Sequence, residues 1–134
     1  MTDKVFDLVG KFLKDNKMEG IDVGRLIEDL PVDELMEMVS GKDPYVVKRS
    51  GRPEKYKEDK IARSIKNAAD RADIQINTSD LNIILSDIKD ALFKSDKSSL
   101  KKTTDVKDVL LEILSREGYS KIRDAYEAYA NEQN

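Results

Sequence analysis

Tyr45-Val46-Val47-Lys48-Arg49-Ser50-Gly51-Arg52-Pro53-Glu54-Lys55-Tyr56 is the stretch at which the hydrophobic period of the chain changes. Tyr45 to Lys48 is aromatic and β-branched, which favours a short strand. Ser50-Gly51 supplies a turn, and Pro53 to Tyr56 reads as the return strand of a hairpin. Pro53 has no N–H to give to a ladder, so its strand belongs at an edge or in a loosely paired position. On both sides of this hairpin the apolar residues return to helical spacing. The class is therefore α+β and mostly helical, a helix bundle with a small hairpin laid across one end.

Upstream, Val5, Leu8, Val9, Phe12 and Leu13 lie on one helical face that ends by Met18 to Gly20. Val23, Leu26, Ile27 and Leu30 repeat the spacing before Pro31, and Val32, Leu35, Met36 and Val39 repeat it again before Gly41. Helices this short need a partner to bury their stripes. Downstream, Ile61, Ile65, Ala68, Ala69 and Ala72 line a helix, as do Leu81, Ile84, Leu85, Ile88 and Leu92, with Thr78 or Ser79 as cap. Val106, Val109, Leu110, Ile113 and Leu114 line a third, capped by Thr103 or Thr104 and stopped at Gly118. Ile122, Ala125, Tyr126 and Tyr129 line the last, with Ser120 as cap. The Ser- and Lys-rich link from Lys94 to Lys102 reads as an exposed loop with a short strand near Leu100.

The chain has 134 residues, the size of one compact domain or of a domain with a small appendage. It contains no cysteine, histidine or tryptophan. That excludes disulfides, a thiolate nucleophile, a cysteine zinc site and an imidazole base or ligand. No apolar run exceeds three residues, and Met1 to Gly10 lacks the apolar core of a signal peptide, so a soluble cytoplasmic protein is expected. The net charge of −3 does not point to non-specific nucleic-acid binding. It is unevenly spread: residues 1–43 carry a net −5 and residues 44–134 a net +2. Six basic residues against three acidic ones fall between Pro44 and Lys60. The change of sign at Gly41-Lys42-Asp43-Pro44 marks the expected boundary.

Neither a GxxxxGK[ST] nor a GxGxxG loop is present, so any phosphate site must rest on side-chain cations and helix starts. Lys48 and Arg49 sit at the hairpin turn, and Lys60 stands at the start of the next helix, where acids such as Asp59 are the usual choice. Each cation placed on a triphosphate would supply roughly 1.5–3 kcal/mol. No rule singles out a carboxylate pair for acid/base work; Glu112, Glu117, Asp124 and Glu127 fit helix surfaces facing water. Tyr126 and Tyr129 fit core or bundle rim, and Met36 and Met38 fit packing. Nothing reads as an active site.

The hairpin and the chain downstream of it resemble the ATP-cone domain. The resemblance runs through Val46-Val47-Lys48-Arg49-Ser50-Gly51-Arg52, Glu54-Lys55-Tyr56 and Asp59-Lys60-Ile61 with Ile65 and Ala68. It continues through Thr103-Thr104-Asp105-Val106 with Val109, then Gly118-Tyr119 and Ala125-Tyr126-Glu127-Ala128-Tyr129. It implies an ATP-cone domain over residues 44–131, preceded by an acidic helical extension at 1–43. The implied fold is a four-helix bundle capped by a small three-stranded sheet. The implied role is non-catalytic: ATP or dATP, with Mg²⁺, binds as an effector and selects an oligomeric state or a partner related to ribonucleotide reductase. Carried over by the resemblance, Val46 meets the base side, Lys48, Arg49 and Lys60 the phosphates, and Glu54 and Lys57 the base and sugar. Ile61 packs on the nucleotide, Thr103 binds phosphate from its helix start, and Lys107 follows one turn on.

Some positions depart from the family pattern. Ser50 stands where the family commonly has Asp, and Tyr129-Ala130 where it commonly has Tyr-Arg; these leave the choice between ATP and dATP open. Without cysteine there is no zinc ribbon, which sets the chain apart from the family's zinc-ribbon repressors. Two alternatives stand beside the sensor: a nucleic-acid-binding regulator using the same basic hairpin, and an N-terminal allosteric piece of a reductase. The apolar stripes of residues 1–43 are expected to pack on the chain's own bundle, with a dimer interface as the other possibility.

Overall fold

The computed structural model describes residues 2–16, 18, 21–41, 43–48, 51–94 and 100–133. The elements in chain order are α1 (Thr2–Asp15), α2 (Val23–Asp29), α3 (Val32–Ser40), β1 (Tyr45–Val47), β2 (Pro53–Lys55), α4 (Glu58–Arg71) and α5 (Thr78–Lys89). A π-helical turn (Asp90–Lys94), β3 (Leu100–Lys102), α6 (Thr103–Arg116) and α7 (Ser120–Gln133) complete them. The chain is α+β and mostly helical, with one three-stranded sheet among the described residues. None of the helices, among the described residues, is long and apolar enough to cross a membrane.

The elements form two compact units. One comprises Met1–Tyr56 with Asp96–Thr103, and the other Lys57–Ser95 with Thr104–Asn134. In the first, the sheet unit, α1 packs on α2 and α3. Val9, Leu13, Leu26, Leu35 and Met38 from these helices, with Leu30 just past the end of α2, bury into one cluster with Tyr45, Val47 and Leu100 of the sheet. The buried part of the extension's stripes thus shares one core with one face of the sheet, whereas Leu8 stays exposed. The Oδ1 of Asp22 caps α2 by accepting from the Arg25 N–H at 3.3 Å. Gly41 ends α3 in the left-handed conformation at φ 70°, where a side chain would be strained. Along α3 the buried pair is Leu35 and Met38, not the stripe through Met36; Val32, next to Pro31 at the helix start, is 54% exposed.

In the helical unit α4 packs against α5 and α7, and Ala68 and Ala69 are small enough to let a neighbouring backbone come close. Ile65, Ile84, Ile88, Leu110, Leu114 and Ile122 are fully or almost fully buried. The cap of α5 is Asn77 rather than Thr78 or Ser79. Asn77 keeps an extended backbone and its Oδ1 accepts from the Asp80 N–H at 2.7 Å, whereas Thr78 is already the first helical residue. Likewise Ser120 is the first helical residue of α7, not a residue ahead of it, and Thr103 opens α6 directly from β3. Helix α6 closes with the Tyr119 N–H on the Leu114 carbonyl at 2.7 Å and the Gly118 N–H on the Ser115 carbonyl at 3.2 Å, with Gly118 at φ 90°.

Candidate nucleotide-binding residues

The site begins with the order of the strands, β2-β1-β3. β1 and β2 are antiparallel neighbours, with Val46 opposite Glu54 and Val47 opposite Pro53. Pro53 therefore lies on an edge strand, where its missing N–H costs no ladder bond. β1 and β3 are parallel, with Tyr45 beside Leu100, Val46 beside Lys101 and Val47 beside Lys102. Residues paired across strands share a face, and successive residues alternate between faces. Tyr45, Val47 and Leu100 belong to the core shared with α1, α2 and α3. Val46, Glu54 and Lys101 consequently occupy the opposite face.

Lys48 joins them. Its Nζ lies 3.2 Å from the Glu54 Oε2, and the two side chains keep 47% and 29% of their exposure. So open an ion pair is worth at most about 1 kcal/mol, little enough for a phosphate to compete with. The hairpin turn is held by the Lys48 N–H on the Arg52 carbonyl at 2.9 Å and the Gly51 N–H on the Lys48 carbonyl at 2.8 Å. Gly51 adopts φ 89°, which demands glycine at this corner. Arg49, with Ser50, lies outside the described residues. Because β1 and β3 run in the same direction, the next residue on each strand past the last pair is Lys48 on one and Thr103 on the other. Thr103 is half-buried, at the first position of α6, and helix starts suit an anion.

The sheet unit therefore brings together Val46, Lys48, Glu54 and Thr103, and sets Lys101, a residue the sequence reading did not single out, beside Val46. The signal for Lys101 was available in part: a strand was expected near Leu100, but its register, and so its faces, were not. Val46 is 7% exposed, and Lys101 is half-buried. In the helical unit, Lys57 immediately precedes α4 with extended backbone at φ −113°. Lys60 is exposed in the first turn behind Glu58 and Asp59, and Ile61 follows it half-buried. Lys107, one turn into α6, is also half-buried.

On the opposite face, the Lys55 Nζ reaches the Glu37 Oε1 at 2.5 Å, so an ion pair joins α3 to β2. That hydrogen bond to Glu37, with its negative charge, raises the Lys55 ammonium above its ordinary value. Burial first, and then the Glu37 charge, raise the Tyr45 phenol. Glu117 departs from the water-facing position expected for it. It lies past the end of α6, half-buried, and its Oε2 is buried without a hydrogen-bond partner. Burial, then a shared hydrogen bond and charge repulsion from Asp87, push its carboxyl up to about 7, against the opposing pull of Arg116.

Comparison with known protein families finds a match to the ATP cone domain over residues 44–134. No curated protein matches the chain.

Proposed function

The chain belongs to the ATP-cone family, whose domains bind nucleotide effectors and regulate without catalysing, and on that premise we propose that it senses ATP or dATP through the sheet face bearing Val46, Lys48 and Glu54. The observation that carries this reading is the parallel pairing of β1 with β3. It brings Thr103, the residue after the last pair on β3, beside Lys48, the residue after the last pair on β1; the two are far apart in the chain yet both suited to an anion. Lys48, Arg49, Lys60 and Thr103 take the phosphates in this reading, with Lys107 one turn along α6. Val46 and Ile61 supply apolar contact, and Glu54 and Lys57 serve the base and sugar.

Among the described residues no cluster of three acidic or imidazole side chains could hold a metal ion. In this reading magnesium arrives bound to the phosphates whose charge it neutralises. The bound nucleotide acts by binding one association state better than another, either of the chain with itself or with a partner such as a reductase subunit. A ligand of equal affinity for both states would shift nothing.

Calorimetric titration with ATP and with dATP, each with Mg²⁺, tests the reading. Micromolar binding of at least one nucleotide is expected, and Lys48→Ala should weaken it by about tenfold or more while the helical circular-dichroism signal is unchanged. Undiminished binding by Lys48→Ala would move the site away from this face. No nucleotide binding at all, together with DNA binding that falls steeply with salt, would make the basic hairpin a nucleic-acid surface instead.

A further inference from the structure

Lys101 is absent from the set of residues that the family resemblance carries onto this chain, yet it stands beside Val46. We infer that Lys101 is a nucleotide-contacting cation that fixes which way the nucleotide lies across the sheet. The inference rests on the nucleotide-binding reading above and adds an orientation to it.

Three observations lead there. First, the register pairs Val46 with Glu54 on one side and with Lys101 on the other, so all three share the face turned away from the extension core. Strands lie about 4.8 Å apart, so Val46 sits between a carboxylate and an ammonium whose strands are separated by about 9–10 Å. Second, Lys101 is half-buried while its neighbour Lys102, paired with Val47, is exposed. Part of Lys101 is thus shielded by the protein, whereas Lys102 extends into solvent. Third, Glu54 is already paired with Lys48 at the turn, and the strand carrying Lys101 continues within two residues into Thr103 and the start of α6. The cationic residue Lys101 and the hydroxyl of Thr103 thus lie on the β3 side of Val46, and the carboxylate of Glu54 on the β2 side.

Opposite charges on the two sides of one apolar residue give a ligand with an anionic and a neutral end one favoured direction. Phosphate goes to the β3 side, onto Lys101 and Thr103. The hydroxyl- and amino-bearing sugar and base go toward β2, where Glu54 can accept hydrogen bonds. Lys101 is in this sense a specificity-determining residue: it favours the triphosphate over the nucleoside.

Lys102 is the built-in control, since it carries the same charge one residue away on the other face. The full chain is titrated with ATP and with adenosine, as parent, Lys101→Ala, Lys101→Arg and Lys102→Ala. Lys101→Ala is expected to weaken ATP binding about tenfold, the size of a lost charged hydrogen bond, and to leave adenosine affinity within about twofold. Lys102→Ala should stay within about twofold of the parent for ATP, and Lys101→Arg should keep most of the affinity. Equal losses in Lys101→Ala and Lys102→Ala would mean that only the general field matters, and would overturn the inference. So would full ATP affinity in Lys101→Ala when the parent binds. A parent chain that binds no ATP overturns the nucleotide reading itself, and this inference with it.

Discussion

Glu117 shows how much one residue's setting depends on tertiary structure. Its place in the sequence, Arg116-Glu117-Gly118, is that of an ordinary polar helix end facing water. In the fold one of its oxygens is buried without a partner and Asp87 shares a hydrogen bond with the carboxyl, so the folded chain keeps its proton to about pH 7. The unfolded chain loses that proton near the ordinary carboxyl value of 4.5. Between these values the folded state holds more protons than the unfolded one, so this group's contribution falls as pH rises through the window. Below it both states are protonated and nothing is lost. Thermal melts of the parent and of Glu117→Gln across pH 5 to 8 should diverge, the variant gaining several degrees over the parent toward pH 8. Parallel curves would show that the carboxyl is not held protonated.

At the scale of elements, the end of α4 carries a testable irregularity. The Ile74 N–H bonds to the Ala69 carbonyl at 2.9 Å and the Asp73 N–H to the Asp70 carbonyl at 3.1 Å, so Asp73 occupies the left-handed position that glycine usually fills. Its φ is 56°, which a side chain adopts at a cost of about 1–2 kcal/mol, partly offset when the residue is Asp. Asp73→Gly should therefore stabilise the chain by about 0.5–1 kcal/mol in urea denaturation, the relief exceeding glycine's entropic cost. A loss of stability would show that the Asp73 side chain contributes more than its backbone strain takes away. Amphipathic elements such as α5 were legible because Leu81, Ile84, Leu85 and Ile88 repeat over about two turns, and all four are buried. Caps were less so: Asn77, Thr78 and Ser79 all suit the role, and only backbone geometry selects Asn77. Least legible was β3, because three residues carry no period and its choice of β1 as a parallel partner is made by contacts distant in sequence. The candidate site shares that limit. Val46, Lys48 and Glu54 lie on one hairpin and are neighbours from sequence alone, whereas Thr103 joined them only through a family resemblance and Lys101 not at all.

At the scale of the molecule, the sheet separates two kinds of surface only one strand thick. One face completes the core of α1, α2 and α3, through Tyr45, Val47 and Leu100; the other bears the residues assigned to nucleotide. Alternate residues of β1 serve alternate faces, so Val46 cannot be fixed without also fixing Tyr45 and Val47. Three-residue strands have little stability of their own, and this sheet draws its stability from the helices packed on its apolar side. The sheet unit should accordingly open as one cooperative body, extension included. A ligand that binds only the closed form stabilises all of it, by about 2.7 kcal/mol at one hundred times Kd. Amide exchange measured with and without ATP at that excess should therefore slow by up to about 100-fold at Leu26, Leu35 and Met38, which carry none of the proposed contacts. Slowing confined to β1, β2 and β3 would mean that the extension opens independently and that nucleotide binding is not felt beyond the strands that bear it. Slowing in both would identify α1, α2 and α3 as the route by which an occupied sheet reports to whatever the extension meets.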